Sequence, residues 1–155
     1  MRIGIKRVSA ALAVAALALV PAALGDAVFH AAHVPLSPVG AAPLRSGFVE
    51  IAHADGPVRF AHDVYSVNGA TPATTYTVTL HLSTGADPSC SVPFVDAPVA
   101  TLTTGAAGNG EADAAFAPAL IDALGVRNST VYVRFTLDTG GTAAYTTPCG
   151  RAQLD

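Results

Sequence analysis

The sequence predicts an all-β protein: a two-sheet antiparallel sandwich of Ig-like or Greek-key type, carrying one short helix. Three observations lead there. Two segments alternate apolar and polar residues with a period of two, "TYTVTLHLS" at 75–83 and "TVYVRFTLD" at 130–138. Such alternation marks strands with one face on a core and the other in water. Turn signals rich in Gly, Pro and Asn recur between the candidate strands. The connections between those strands are too short for the repeated helical crossovers that a parallel sheet requires.

The chain begins with features of a secretory signal over residues 1–25. Arg2, Lys6 and Arg7 precede "AALAVAALALV" at 10–20, Pro21 breaks the run, and Ala23 and Gly25 are small where signal peptidase requires it. Cleavage is expected between Gly25 and Asp26, or else after Ala27. Eleven apolar residues fall short of a hydrocarbon core about 30 Å thick, which argues against a retained anchor. Residues 26–45 read as an N-terminal extension. Pro35, Pro38 and Pro43 interrupt it and no period is sustained, so it is expected to order only by docking on the body, and "FHAAH" at 29–33 is expected to be dispensable for folding and for any metal content. Residues 46–155 form one domain of ordinary size.

Within that domain Val78, Leu80 and Leu82 are expected to face the core, with Thr77, Thr79, His81 and Ser83 outward. In the same way Val131, Val133, Phe135 and Leu137 alternate with Tyr132, Arg134, Thr136 and Asp138. Weaker strands are expected at 48–53, 58–67, 99–104, 110–116, 142–147 and 151–154. The turns between strands are Asp55-Gly56-Pro57, Asn68-Gly69, Gly85, Gly108-Asn109-Gly110 and Gly140-Gly141. "PALIDAL" at 118–124 predicts the helix, with Pro118 at its first position and Gly125 as its C-terminal cap.

Cys90 and Cys149, an even count in a chain read as exported, predict one disulfide. Neither has a second Cys or a His at ligand spacing, so a metal site built on them is not expected. From Asp26 onward the chain has five Arg, no Lys and eleven acids, a formal charge of −6. An acidic chain without a basic cluster argues against nucleic acid and anionic membrane as partners. No later segment reaches 18 uninterrupted apolar residues, so no membrane segment is expected in the mature form.

At "TLTTGAAGNGEADAAFAPALIDALGVRNSTVYVRFTL", residues 101–137, the chain resembles small secreted bacterial proteins of unassigned role. They share the order strand, Gly-Asn-Gly turn, strand, short Pro-led helix and "VYV" strand. This order is similar to that of chordin-type domains, which are extracellular β-sandwiches. The likeness covers about a quarter of the chain and implies the architecture and an extracellular setting. It implies no catalytic residue.

Candidate chemistry rests on five histidines, His30, His33, His53, His62 and His81. His30 and His33, in "HAAH", would share an ion if the segment formed a turn or helix. Zinc or copper would need further ligands from His53, His62, His81 or an acid on the body. His62 shares a strand face with Phe60 and Val64, where a half-buried, hydrogen-bonded role is the simpler expectation. His62 and Asp63 are neighbours on a strand and point to opposite faces. Glu111 and Asp113 share a face but adjoin a glycine turn, which suits solvated carboxylates. No G-x-S-x-G elbow occurs. The Gly-Asn-Gly stretch lacks the Lys-Ser/Thr ending of a phosphate loop, and Asn128 begins an N-x-S/T sequon by pattern only. The inventory points to a secreted, non-catalytic binding or structural domain with no cofactor, whose partner is an extracellular protein or polysaccharide. The alternative is an extracellular zinc- or copper-binding protein using the histidines. Intact mass of the exported product tests the first step: a chain starting at Asp26 is expected, and one retaining Met1 would refute the export signal.

Overall fold

The computed structural model describes residues 30–53 and 60–154. The signal-like segment, its cleavage site and the expected Asp55-Gly56-Pro57 turn lie outside the described residues. Among the described residues ten strands and one helix follow one another. They are β1 (His30–Pro35), β2 (Ser37–Pro38), β3 (Ser46–His53), β4 (Ala61–Asn68), β5 (Thr75–Thr84), β6 (Val95–Thr103), β7 (Gly110–Phe116), α1 (Pro118–Leu124), β8 (Ser129–Thr139), β9 (Thr142–Thr146) and β10 (Gly150–Leu154).

The strands form two antiparallel sheets, one ordered β1-β3-β4-β7 and the other β2-β9-β8-β5-β6, with β10 also pairing β8. β5, β6 and β7 follow one another around the sandwich, β6 and β7 packing across its edge. β7 then lies beside β4, and β8 returns through α1 to pair with β5. These are Greek-key connections. The expected alternation holds along β5 and β8 except at Ser83 and Thr136, which are buried, and Val133, which is half-buried. Val78, Leu80, Leu82, Val131, Phe135 and Leu137 are all buried between the sheets. Around them pack Val49, Tyr65, Tyr76, Leu102 and Tyr145 in one continuous core.

The N-terminal segment departs from the expectation of an irregular extension. β1 pairs with β3 from His30↔His53 to Pro35↔Phe48, and β2 pairs Ser37 and Pro38 with β9. Between them Leu36 enters the core, 6% exposed, as the chain passes from one sheet to the other. Prolines do not prevent this because β1 and β2 are edge strands, where a missing N–H costs no ladder bond. Farther on, the Tyr145 hydroxyl donates to the Pro43 carbonyl at 2.7 Å. The segment is therefore part of the fold, and dispensability is not what these contacts support.

α1 spans the residues its cap signals indicate. Gly125 is left-handed at φ 66° and its N–H bonds the Asp122 carbonyl, while Val126 N–H reaches the Ile121 carbonyl at 3.4 Å. Ile121 and Val126 are both buried. This is a Schellman ending with its hydrophobic contact. The Gly-Asn-Gly stretch is a tight turn: Gly108 lies so close to Ala70 that a Cβ there would sit 2.1 Å from the Ala70 carbonyl oxygen.

Cys90 and Cys149 are bonded, with Cα atoms 5.8 Å apart across a sequence separation of 59. The bridge ties the loop after β5 to the break between β9 and β10. Asp87 sets that loop by accepting the Ser89 hydroxyl at 2.7 Å and the Val92 N–H at 2.8 Å. These bonds, the Ser89 hydroxyl first, hold its carboxyl well below the usual range. At the break, Thr147 substitutes for a regular pair: its hydroxyl accepts Phe135 N–H at 2.9 Å.

Two outcomes are expected in chemical denaturation of the exported chain. Leu36→Ala should lose about 2–5 kcal/mol, as other buried Leu truncations do. The Cys90→Ala/Cys149→Ala pair should lose about 2–4 kcal/mol. A Leu36→Ala variant indistinguishable from the wild type would return the N-terminal segment to the status of a dispensable extension.

Candidate functional site

The open side of the sandwich carries the site. There β1 and β3 of one sheet stand against β8 and β10 of the other without hydrogen bonding, and a groove of about 420 Å³ lies between them. β1 contributes Ala32 and Val34, β3 Ile51, β8 Val133 and β10 Ala152. The small residues keep the walls apart. Arg151 and Gln153 also line the groove. Arg151 is exposed and donates to the Thr130 hydroxyl at 3.2 Å.

A smaller chamber of about 50 Å³ continues inward. It shares Ile51, His53, Val133, Phe135 and Ala152 with the groove, so the two lie end to end. Its inner wall includes Asp63. This carboxyl belongs to the inward row of β4, Ala61, Asp63, Tyr65 and Val67, all buried. His62, Val64 and Ser66 form the outward row. As expected, His62 is half-buried, hydrogen-bonded and on the row of Val64; Phe60, which lies just before β4 begins, departs from that row in being buried.

Asp63 is 3% exposed. Its Oδ2 accepts a long hydrogen bond from the Tyr65 hydroxyl at 3.4 Å, and its Oδ1 has no partner. Burial pushes its pKa up to about 7, and the Tyr65 bond lowers it only in part. Burial first, and then Asp63 beside it, raise the Tyr65 hydroxyl above its usual range, so Tyr65 remains a donor. An unpaired carboxylate this deep is costly unless it takes up a proton or a partner.

His33, His53, His62 and His81 are spread over separate surfaces. The backbone is extended from His30 to Pro35, so the segment forms neither the turn nor the helix on which the pair would share an ion. His33 is exposed and stacks on Phe48, ring centroids 4.3 Å apart. His53 stands in the groove 5.6 Å from the Phe60 ring. His62 meets Asp113 at 3.1 Å on the outer face of its sheet. His81 lies on the outer face of the other sheet. Among the described residues no three His, Cys, Asp or Glu side chains gather as a metal site.

His81 carries one further arrangement that sequence reasoning did not single out. Its Nδ1 is 3.2 Å from Asp96 and its Nε2 3.0 Å from the Thr136 hydroxyl. Carboxylate, imidazole and hydroxyl in that order are the parts of a nucleophilic relay. The protons run the wrong way for it. Thr136 donates its own proton to Asp138 at 3.0 Å, so Nε2–H must donate to Thr136. Nδ1 is then left without a hydrogen, and it makes no hydrogen bond despite its distance from Asp96. Thr136 is only 7% exposed. Burial holds His81 below the ordinary histidine pKa, against the opposing pull of Asp96. Thr79 completes the network by donating to Asp138 at 2.6 Å. The cluster knits strands β5 and β8 together and offers no free nucleophile.

No protein-family model, no curated protein and no solved structure matches the chain.

Asp63 predicts a pH dependence with a definite sign. Its folded pKa lies above its unfolded one, so the folded state binds the proton more tightly and stability falls as pH rises from about 4 through 7. The full effect is on the order of 4 kcal/mol. The wild type should be more stable at pH 5 than at pH 8 in urea denaturation, and Asp63→Asn should flatten that difference. Equal slopes in the two proteins would mean that Asp63 ionises freely in the folded state.

Proposed function

We propose that the chain is an exported, non-catalytic domain that binds a small amphipathic molecule in the groove between its sheets. One observation carries this reading: the open side of the sandwich holds a long, mainly apolar groove that continues into the core and reaches a buried polar group. Binding sites for small molecules have this form, a concave apolar surface with few polar groups that fix orientation. A groove with such walls suits an alkyl or ring body better than a polysaccharide. The Thr-rich outer face, the surface that would suit sugars, has its groups engaged with one another, as in the Thr79–Asp138 and Thr75–Thr103 contacts.

Export is supported by the signal-like residues 1–25 and by a disulfide, which persists in oxidising compartments. Among the described residues no helix is long and apolar enough to cross a membrane. Absence of catalysis is our reading of the polar groups that line the groove: Asp63 has neither a nucleophile nor a charged hydrogen-bond partner beside it.

The test is a titration of isotope-labelled exported chain with 1-hexanol, followed by NMR. Saturable shifts at Ala32, Ile51 and Ala152 are expected, and Ala152→Trp should abolish them by filling the groove. Shifts that stay linear in hexanol, or that survive Ala152→Trp unchanged, would remove the groove as a binding site.

A further inference from the structure

We propose that the inner chamber recognises the amine of a small molecule with an apolar body, its ammonium group held by the Asp63 carboxylate. The proposal rests on the groove being a ligand site and adds the chemistry of the ligand's head.

Three observations select that chemistry. The first is the unpartnered Oδ1 of Asp63 in a side chain 3% exposed. Buried polar atoms nearly always have partners, and an orphan acceptor costs free energy that a donor would restore. The second is size. A chamber of about 50 Å³ admits a head group the size of a few water molecules, each needing about 10–15 Å³ of such space. An ammonium group is that compact. The third is charge. Among the described lining residues of the chamber only Asp63 and His53 have ionisable side chains, while β5, β7, β8, β10 and α1 face the chamber with hydrocarbon side chains such as Leu80, Phe116 and Ile121. On its own strand Asp63 has only the Tyr65 hydroxyl as a polar neighbour. A carboxylate in so apolar a setting attracts a cation more strongly than it would at the surface, and the hydrogen bond is charge-assisted. The groove outside supplies the apolar contact for the rest of the molecule.

The experiment compares three six-carbon probes, hexylamine, 1-hexanol and hexanoate, on the isotope-labelled exported chain by NMR titration at pH 8. Hexylamine is expected to bind at least tenfold more tightly than hexanol, with hexanoate weakest. That preference should disappear in Asp63→Asn and persist in His53→Gln. A measurement on the wild type alone keeps the proposal open to refutation if Asp63→Asn does not fold. Hexylamine affinity should rise several-fold between pH 6 and pH 8 as the carboxyl loses its proton, while hexanol affinity stays level. Equal affinity for amine and alcohol with no pH step would mean that Asp63 holds only water; the proposal would then be wrong and the groove would remain a ligand site. No saturable shift in the groove with any probe would remove both.

Discussion

The two sheets meet at Tyr65 and Phe135, whose rings lie 5.6 Å apart at 59°. Tyr65 belongs to β4 and Phe135 to β8, each an internal strand of its sheet. Both are almost wholly buried. Tilted aromatic pairs of this kind add about 0.5–1.5 kcal/mol to the burial of their surface. Their larger effect is on register. With Tyr65 facing inward, every second residue of β4 must do the same, because a slip of one position would turn the whole row to water. Ala61 and Val67 fit that row and Asp63 is carried into the core with them. The buried carboxyl is thus a consequence of the packing that fixes the sandwich, and the groove leads to it.

The strands with one unambiguous apolar row were legible in the sequence. β5 and β8 alternate cleanly, the Pro118 and Gly125 signals bracket α1, and two cysteines in an exported-type chain pointed to the bond between Cys90 and Cys149. β4 was legible as a strand but not in phase. Phe60 and Val64 mark one row, Tyr65 and Val67 the other, and only the contact with Phe135 in the opposite sheet decides between them. The tyrosine and valine two and four residues beyond Asp63 were the available signal for its burial. β1 and β2 were not legible, because proline and the absence of alternation describe an edge strand as well as a loop. What orders them is pairing, of β1 to nearby β3 and of β2 to β9 far along the chain.

The histidines illustrate how backbone geometry decides chemistry. "HAAH" reads as a ligand pair on a turn or helix, and the backbone there is an extended strand. Conversely His81 gains a carboxylate and a hydroxyl from β6 and β8, neither close to it in sequence. Those neighbours make a stabilising network rather than a reactive one, since the only hydroxyl within reach is buried and already donates to Asp138. Of the buried side-chain atoms without a hydrogen-bond partner among the described residues, Asp63 Oδ1 is the one whose side chain lines the inner chamber.

The state of that atom is the central claim, and it can be read directly from the Asp63 side-chain carboxyl ¹³C shift as a function of pH. The expected midpoint is near 7, set by burial, and it should move to lower pH when hexylamine is present. A midpoint near 4, unmoved by the amine, would describe a carboxylate in contact with solvent and would contradict both the buried chamber and the ligand chemistry drawn from it.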